Sequence, residues 1–160
     1  MLAPVLGDKR GWLVLAPRGT AIAALSLWIG GIALYGAVVV PAGGKLLGVT
    51  AQGFVTQRVT AELNVIAAVA LAALAWNTFV AWRRALVVTW LVMVVAQVAL
   101  FALHPYLGAL LDNAAQRIRD EPAFYARHRI YLLVTTAQWL AAVVYGVLAL
   151  GAWRAEDRAG

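Results

Sequence analysis

The sequence predicts an all-α integral membrane protein, a four-helix bundle running antiparallel up and down, and three observations predict it. Hydrophobic residues make up 64% of the 160-residue chain and charged residues 12%, more apolar surface than a soluble domain of this size can hide. A hydrocarbon core about 30 Å thick takes roughly 20 apolar residues per helix, and four stretches meet that requirement without a charge: 19–44, 63–82, 85–111 and 130–153. They are apolar on every face instead of alternating, which excludes a membrane β-barrel wall and leaves the helix, whose backbone satisfies its own hydrogen bonds.

The elements follow in order within one domain covering 1–160. A first span over 20–44 begins too far in and runs too long for a cleavable signal peptide. A turn around Gly48 then precedes a helix from about Thr50 that extends the second span, 61–82, outward, with Arg58 and Glu62 one turn apart and able to pair. The third span, 85–105, kinks or ends near His104 because Pro105 removes a backbone donor. Beyond it, Leu107, Leu110, Leu111, Ala114 and Ile118 recur at helical spacing opposite Asp112, Asn113, Gln116, Arg117 and Asp120. That pattern predicts an amphipathic interfacial helix over about 107–121. The fourth span covers 128–153.

Four spans put both termini on one side. The whole second connection is Arg83 and Arg84, and Lys9 to Arg18 precede the first span, so the termini are expected inside. The net charge of +6 suits loops held beside anionic lipid, and no basic run is long enough for nucleic acid. Trp12, Trp76, Trp82, Trp90 and Trp153 gather at predicted span ends, whereas Trp28 does not. Cysteine is absent, which removes disulfides, thiolate metal sites and thiol catalysis.

Helices in lipid associate through small residues and polar pairs. Ser26, Gly30, Ala33 and Ala37 form a small stripe on the first span, suited to packing within the bundle or against a second copy. Counting about 1.5 Å per residue, Gln97 and Gln138 fall at similar depths on neighbouring antiparallel spans, which predicts a contact between them, with Thr135 or Thr136 able to share it. At the outer end, Glu62, Asn64, His104, Asp112 and His128 are expected to converge as a polar cluster, with Arg127 nearby. Arg127, Arg129, Tyr125 and Tyr131 suit the headgroup layer as anchors.

The chemistry these residues support is limited. Two histidines and a carboxylate are a chemically possible metal site, and bis-histidine haem ligation is conceivable, but the one-turn pairing of a zinc helix is missing. No metal or other cofactor is therefore expected. The chain has one serine, Ser26, deep in the first span, and no nucleophile with a neighbouring base, so catalysis is not expected.

The segments ALSLWIGGIALYGAVVVP, FVTQRVTAELNVI and RHRIYLLVTTAQWLAAVVY resemble a bacterial four-span membrane family of unknown function, related to eukaryotic transmembrane protein 205-like proteins. Trp28, Gly30, Gly31 and Pro41 match that family's first-span element, and His128 matches the histidine that opens its last span. The resemblance implies a multi-pass protein of the bacterial inner membrane and carries no activity across. A weaker similarity, to copper-resistance membrane proteins of the D type, conflicts with the absence of cysteine and a methionine count of two.

Two functions are expected as alternatives. In the preferred one the protein is non-enzymatic and acts through assembly, as a homo-oligomer or an accessory subunit of a membrane complex, with lipids as its other partners. In the second it is a small transporter or a metal- or ligand-binding module that uses the outer polar cluster.

Overall fold

Uncharged runs of this length bury their own backbone polarity as helices, and helices account for nearly all of the computed structural model, which describes residues 9–159. Met1 lies outside the described residues, and side chains are described from Trp12 onward. The helices are α1 (Lys9–Leu34), α2 (Val40–Leu47), α3 (Val49–Ala81), α4 (Arg84–Gly108) and α5 (Glu121–Ala159). A π turn over Tyr35–Val39 joins α1 to α2, so these two form one continuous rod. Four helices are thus long and apolar enough to cross a membrane, and the molecule is an all-α, up-and-down four-helix bundle.

Going round the bundle, α1 packs on α3, α3 on α4, α4 on α5 and α5 back on α1. Both described chain ends lie at one end, called proximal here; the α2–α3 and α4–α5 connections lie at the other, the distal end. The helices outrun the predicted spans, because α5 alone has 39 residues and reaches about 58 Å at 1.5 Å per residue. Its charged ends, Glu121 to Arg129 and Arg154 to Arg158, extend past any apolar layer.

Gly48 is the whole α2–α3 connection. Its φ of 83° with ψ of 155° is backbone that a side chain makes costly, and it lets α2 fold straight back on α3. The two helices touch closely there: a Cβ at Gly43 would overlap Gln52 Oε1.

The proximal and middle bundle holds the large core. Ala21, Leu25, Trp28, Leu74, Met93, Ala142, Tyr145 and Ala149 are buried in it. Trp28, which breaks the span-end pattern as Trp139 also does, lies in that core, and its Nε1 has no hydrogen-bond partner among the described residues. Trp153, at the proximal end, is also buried and donates to Asn77 Oδ1 at 3.1 Å.

The structure bears on two local expectations near the distal end. α4 passes through Pro105 and ends at Gly108, so the helix neither stops nor breaks at His104. The segment expected as an amphipathic helix over 107–121 is instead a short antiparallel hairpin, β1 (Leu111–Asp112) against β2 (Arg117–Ile118). Asp112 Oδ1 accepts the Ala115 N–H at 3.1 Å, and Gln116 takes a left-handed φ of 49°. Asp and Asn side chains compete with helical hydrogen bonds in this way. Leu111 pairs with Ile118, and these two with Leu107 still face one cleft, while Ala114 is exposed in the turn.

Candidate ligand-binding cleft

Four polar side chains in the spans make one connected layer. Gln138 Nε2 donates to Gln97 Oε1 at 3.0 Å and to Met93 O at 3.1 Å. Gln97 Nε2 in turn donates to Asn64 O at 3.2 Å, and Asn64 Nδ2 donates to the Tyr131 hydroxyl at 2.9 Å. The layer ties α3, α4 and α5 together and separates the large core from a small distal cluster of Leu100, Leu107 and Tyr131. Thr135 does not join the glutamines; its hydroxyl returns to Tyr131 O at 2.9 Å.

Above this layer the bundle opens. A cleft of about 580 Å3 is bounded by α2 and the first turns of α3, by the end of α4, by the hairpin and by the start of α5. That volume falls in the roughly 300–1,000 Å3 typical of small-molecule sites. Its wall is mostly apolar, with Val40, Leu107, Leu111, Phe124 and Leu132 among its members.

The opening has a structural cause in the way α1 meets α5. From the proximal end the two helices are joined by Arg18, which donates to Asp157 Oδ1 at 2.7 Å and Glu156 Oε2 at 2.9 Å. The contact continues at Leu25, 3.7 Å from where a Cβ would stand on Gly146, and then at Trp139, whose Nε1 donates to Ile29 O at 3.3 Å. Beyond Leu34 comes the π turn, in which the Val40 N–H reaches Tyr35 O. Pro41 follows and donates no hydrogen bond to the turn before it. An inserted π turn changes which face the following helix presents, and α2 packs on α3 with no matching packed face on α5. The cleft lies between α2 and α5, both of which line it.

The expected polar cluster is divided by the structure. His104 and His128 both line the cleft. His104 Nε2 lies 3.1 Å from Gln57 O; His128 stacks on Phe124, with ring centroids 5.6 Å apart and planes 7° from parallel. Asn64 is buried one layer deeper, Glu62 is exposed, and Asp112 stays in the hairpin near Arg117 and Arg119, at 3.8 and 3.9 Å. The expected convergence of five groups is therefore not formed, because the hairpin keeps Asp112 for its own turn and Glu62 falls on the outward face of α3. Among the described residues no group of three or more His, Asp or Glu side chains could hold a metal ion. Arg58 and Glu62 are not among the ion pairs formed by the described residues.

Two other expectations change. Tyr131 is buried and hydrogen-bonded to Asn64, so it serves the interior, while Arg127, Arg129 and Tyr125 are exposed. The small stripe Ser26, Gly30, Ala33 and Ala37 is exposed along its whole length, so it does not pack inside this bundle. Missing from the sequence reading is a proximal network: the Tyr145 hydroxyl lies 2.8 Å from Thr78 Oγ1 and accepts from Asn77 Nδ2 at 3.0 Å. Asn77 and Thr78 inside the second span were the available signal, since polar groups in a span must find partners.

Asp112 is the titrating group outside the spans whose setting is distinctive. The Ala115 N–H, with Arg119 and Arg117 behind it, holds its carboxyl below the usual carboxylate range.

No family model, curated protein or solved structure matches the chain.

Proposed function

We propose that this is a non-enzymatic multi-pass membrane protein whose distal cleft holds a small, largely apolar ligand. The observation that carries the reading is the mostly apolar cleft of about 580 Å3, lined by both α2 and α5. A ligand there exchanges with the bilayer without crossing the core, because the Asn64–Gln97–Gln138 layer closes the cleft from below. His128, which the family resemblance sets at the opening of the last span, is on the wall. The Arg83–Arg84 connection favours termini in the cytoplasm, which puts the cleft in the outer leaflet.

The test fills the cleft. Gly44 and Gly53 both line it, and a Cβ on either meets nothing within 4 Å, so the double variant Gly44→Phe with Gly53→Phe adds bulk without overlap at the backbone. Mass spectrometry of the wild-type protein, extracted in mild detergent, is expected to find a retained apolar molecule that the double variant lacks. Equal retention by a folded double variant would argue against the reading.

The assembly reading is supported separately by the exposed stripe Ser26, Gly30, Ala33 and Ala37, which permits close approach of a second helix. It predicts that Gly30→Leu lowers the particle mass in nanodiscs, and an unchanged mass contradicts it.

A further inference from the structure

The groups on the cleft wall have a chemical bias. Half of its polar side chains are already engaged with the protein: Thr60 Oγ1 donates to Thr56 O at 2.8 Å, and Thr56 Oγ1 accepts from Tyr35 at 3.2 Å and Gln52 at 3.3 Å. His104 is held at Gln57 O and Tyr131 at Asn64. Lys45 and His128 line the cleft with the side chains of Thr50, Gln57 and Tyr125, and none of these five forms a hydrogen bond or ion pair within the described residues; Lys45 is the one among them with a permanent charge. The Lys45 ammonium is donor-only, and an imidazole always offers at least one N–H. No Asp or Glu among the described residues lines the cleft, and Asp112, the nearest acid in the hairpin, faces Ala115, Arg117 and Arg119 instead. Donors without a competing carboxylate, set on a mostly apolar wall, match an acceptor-rich head on an apolar tail.

Resting on the reading of the cleft as a ligand site, we infer that its ligand is a single-chain anionic amphiphile taken sideways from the bilayer. Its tail lies along Val40, Leu107, Leu111 and Leu132, and its head meets Lys45 and His128. The head is a carboxylate or a phosphate monoester; both present clustered acceptor oxygens to an ammonium, and charge-assisted hydrogen bonds to such oxygens are the stronger kind. A two-chain lipid is disfavoured by the size of the cleft, and a cationic head by Lys45. Entry runs between α2 and α5, above the Trp139–Ile29 contact where α1 and α5 meet.

The test uses four probes with the same twelve-carbon tail, dodecanoate, dodecyl phosphate, dodecanol and dodecyltrimethylammonium, titrated into the full chain in nanodiscs of zwitterionic lipid. Empty nanodiscs supply the partition background. The two anionic probes are expected to bind about fivefold or more tighter than dodecanol, the scale of one partly screened charge contact, with the cationic probe weakest. Whichever anion binds more tightly identifies the carboxylate or the phosphate as the better head. Lys45→Gln is expected to bring the anions close to the dodecanol value and leave dodecanol unchanged, while Lys45→Arg retains the preference. Lys45 is exposed, so neither change threatens the fold. A flat or reversed order of heads, or a Lys45→Gln variant that keeps the full anion preference, overturns the inference. The Gly44→Phe, Gly53→Phe variant separates the two readings: if it binds all four probes as wild type does, the cleft itself is not the site. If it loses all four while the head order in wild type is flat, the cleft stands and the anionic head alone is wrong.

Discussion

The two ends of this bundle are built from the same composition and behave as opposites. At the proximal end only a small cavity of about 80 Å3 remains: Arg18 bridges to Glu156 and Asp157 and lies over the Trp153 ring at 5.8 Å, while Asn77, Thr78, Tyr145 and Trp153 satisfy one another. At the distal end the polar layer stops the core, the π turn and Pro41 redirect the first span, and α2 leaves α5 uncovered. The difference shows that apolar composition places a chain in a membrane, but breaks in helix register decide where a bundle leaves room.

The comparison breaks most visibly under added bulk. Ala142 is fully buried in the proximal core, and Ala142→Phe is expected to destabilise the protein by about 1–3 kcal/mol or more through overpacking. Gly44→Phe with Gly53→Phe, at the distal end, is expected to leave the thermal midpoint nearly unchanged. Thermal melts of both variants in one detergent check the contrast, and equal losses would mean the cleft is as tightly packed as the core.

Next in size is the turn that folds α2 back. Gly48→Ala puts a Cβ on backbone at φ 83°, ψ 155°, at a cost of about 1–3 kcal/mol. Because only α2 depends on that turn, the loss is expected as faster amide exchange across 40–52, with α5 unaffected. Uniformly faster exchange would show that the distal end is not an independent unit.

Removing the layer between the ends has a smaller effect. Gln138→Leu deletes the bonds to Gln97 and Met93 O, and interhelical hydrogen bonds in membranes average about 0.6 kcal/mol. A double-mutant cycle with Gln97→Leu is expected to return coupling of that order, and zero coupling would remove the layer from the account.

The smallest effect is in the hairpin. Asp112 has a folded-state pKa held below its ordinary value, chiefly by the Ala115 N–H. Its contribution is therefore fully present above the ordinary carboxylate range and is lost as pH falls through that range towards the lower folded value. Amide signals of Ala115 and Arg119 are expected to broaden or shift towards random coil on acidification, and Asp112→Asn to reproduce the change at neutral pH.

The sequence made the bundle legible because span length and charge placement answer to the bilayer, which acts on whole segments. Gln97 and Gln138 were legible for the same reason: two isolated polar groups at one depth have few other partners. The hairpin was not, since Leu107, Leu111 and Ile118 fit a helix face and a strand pair equally well over so short a stretch. The division of Glu62 and Asp112 from the histidines was hidden too, as it depends on local turn bonds and on the rotation of α3. Sequence spacing pointed to His104 and His128, but the space between α2 and α5 comes from a π turn that no residue pattern announces.

The measurement that bears most directly on the central claim is photolabelling in nanodiscs with a diazirine-bearing twelve-carbon fatty acid, followed by peptide mapping. The account predicts adducts concentrated on cleft residues such as Phe54, Leu111 and Leu132, suppressed by excess dodecanoate and absent from the Gly44→Phe, Gly53→Phe variant. Adducts spread equally over exposed residues of α1 such as Ile22 and Leu27, and insensitive to competitor, would contradict it.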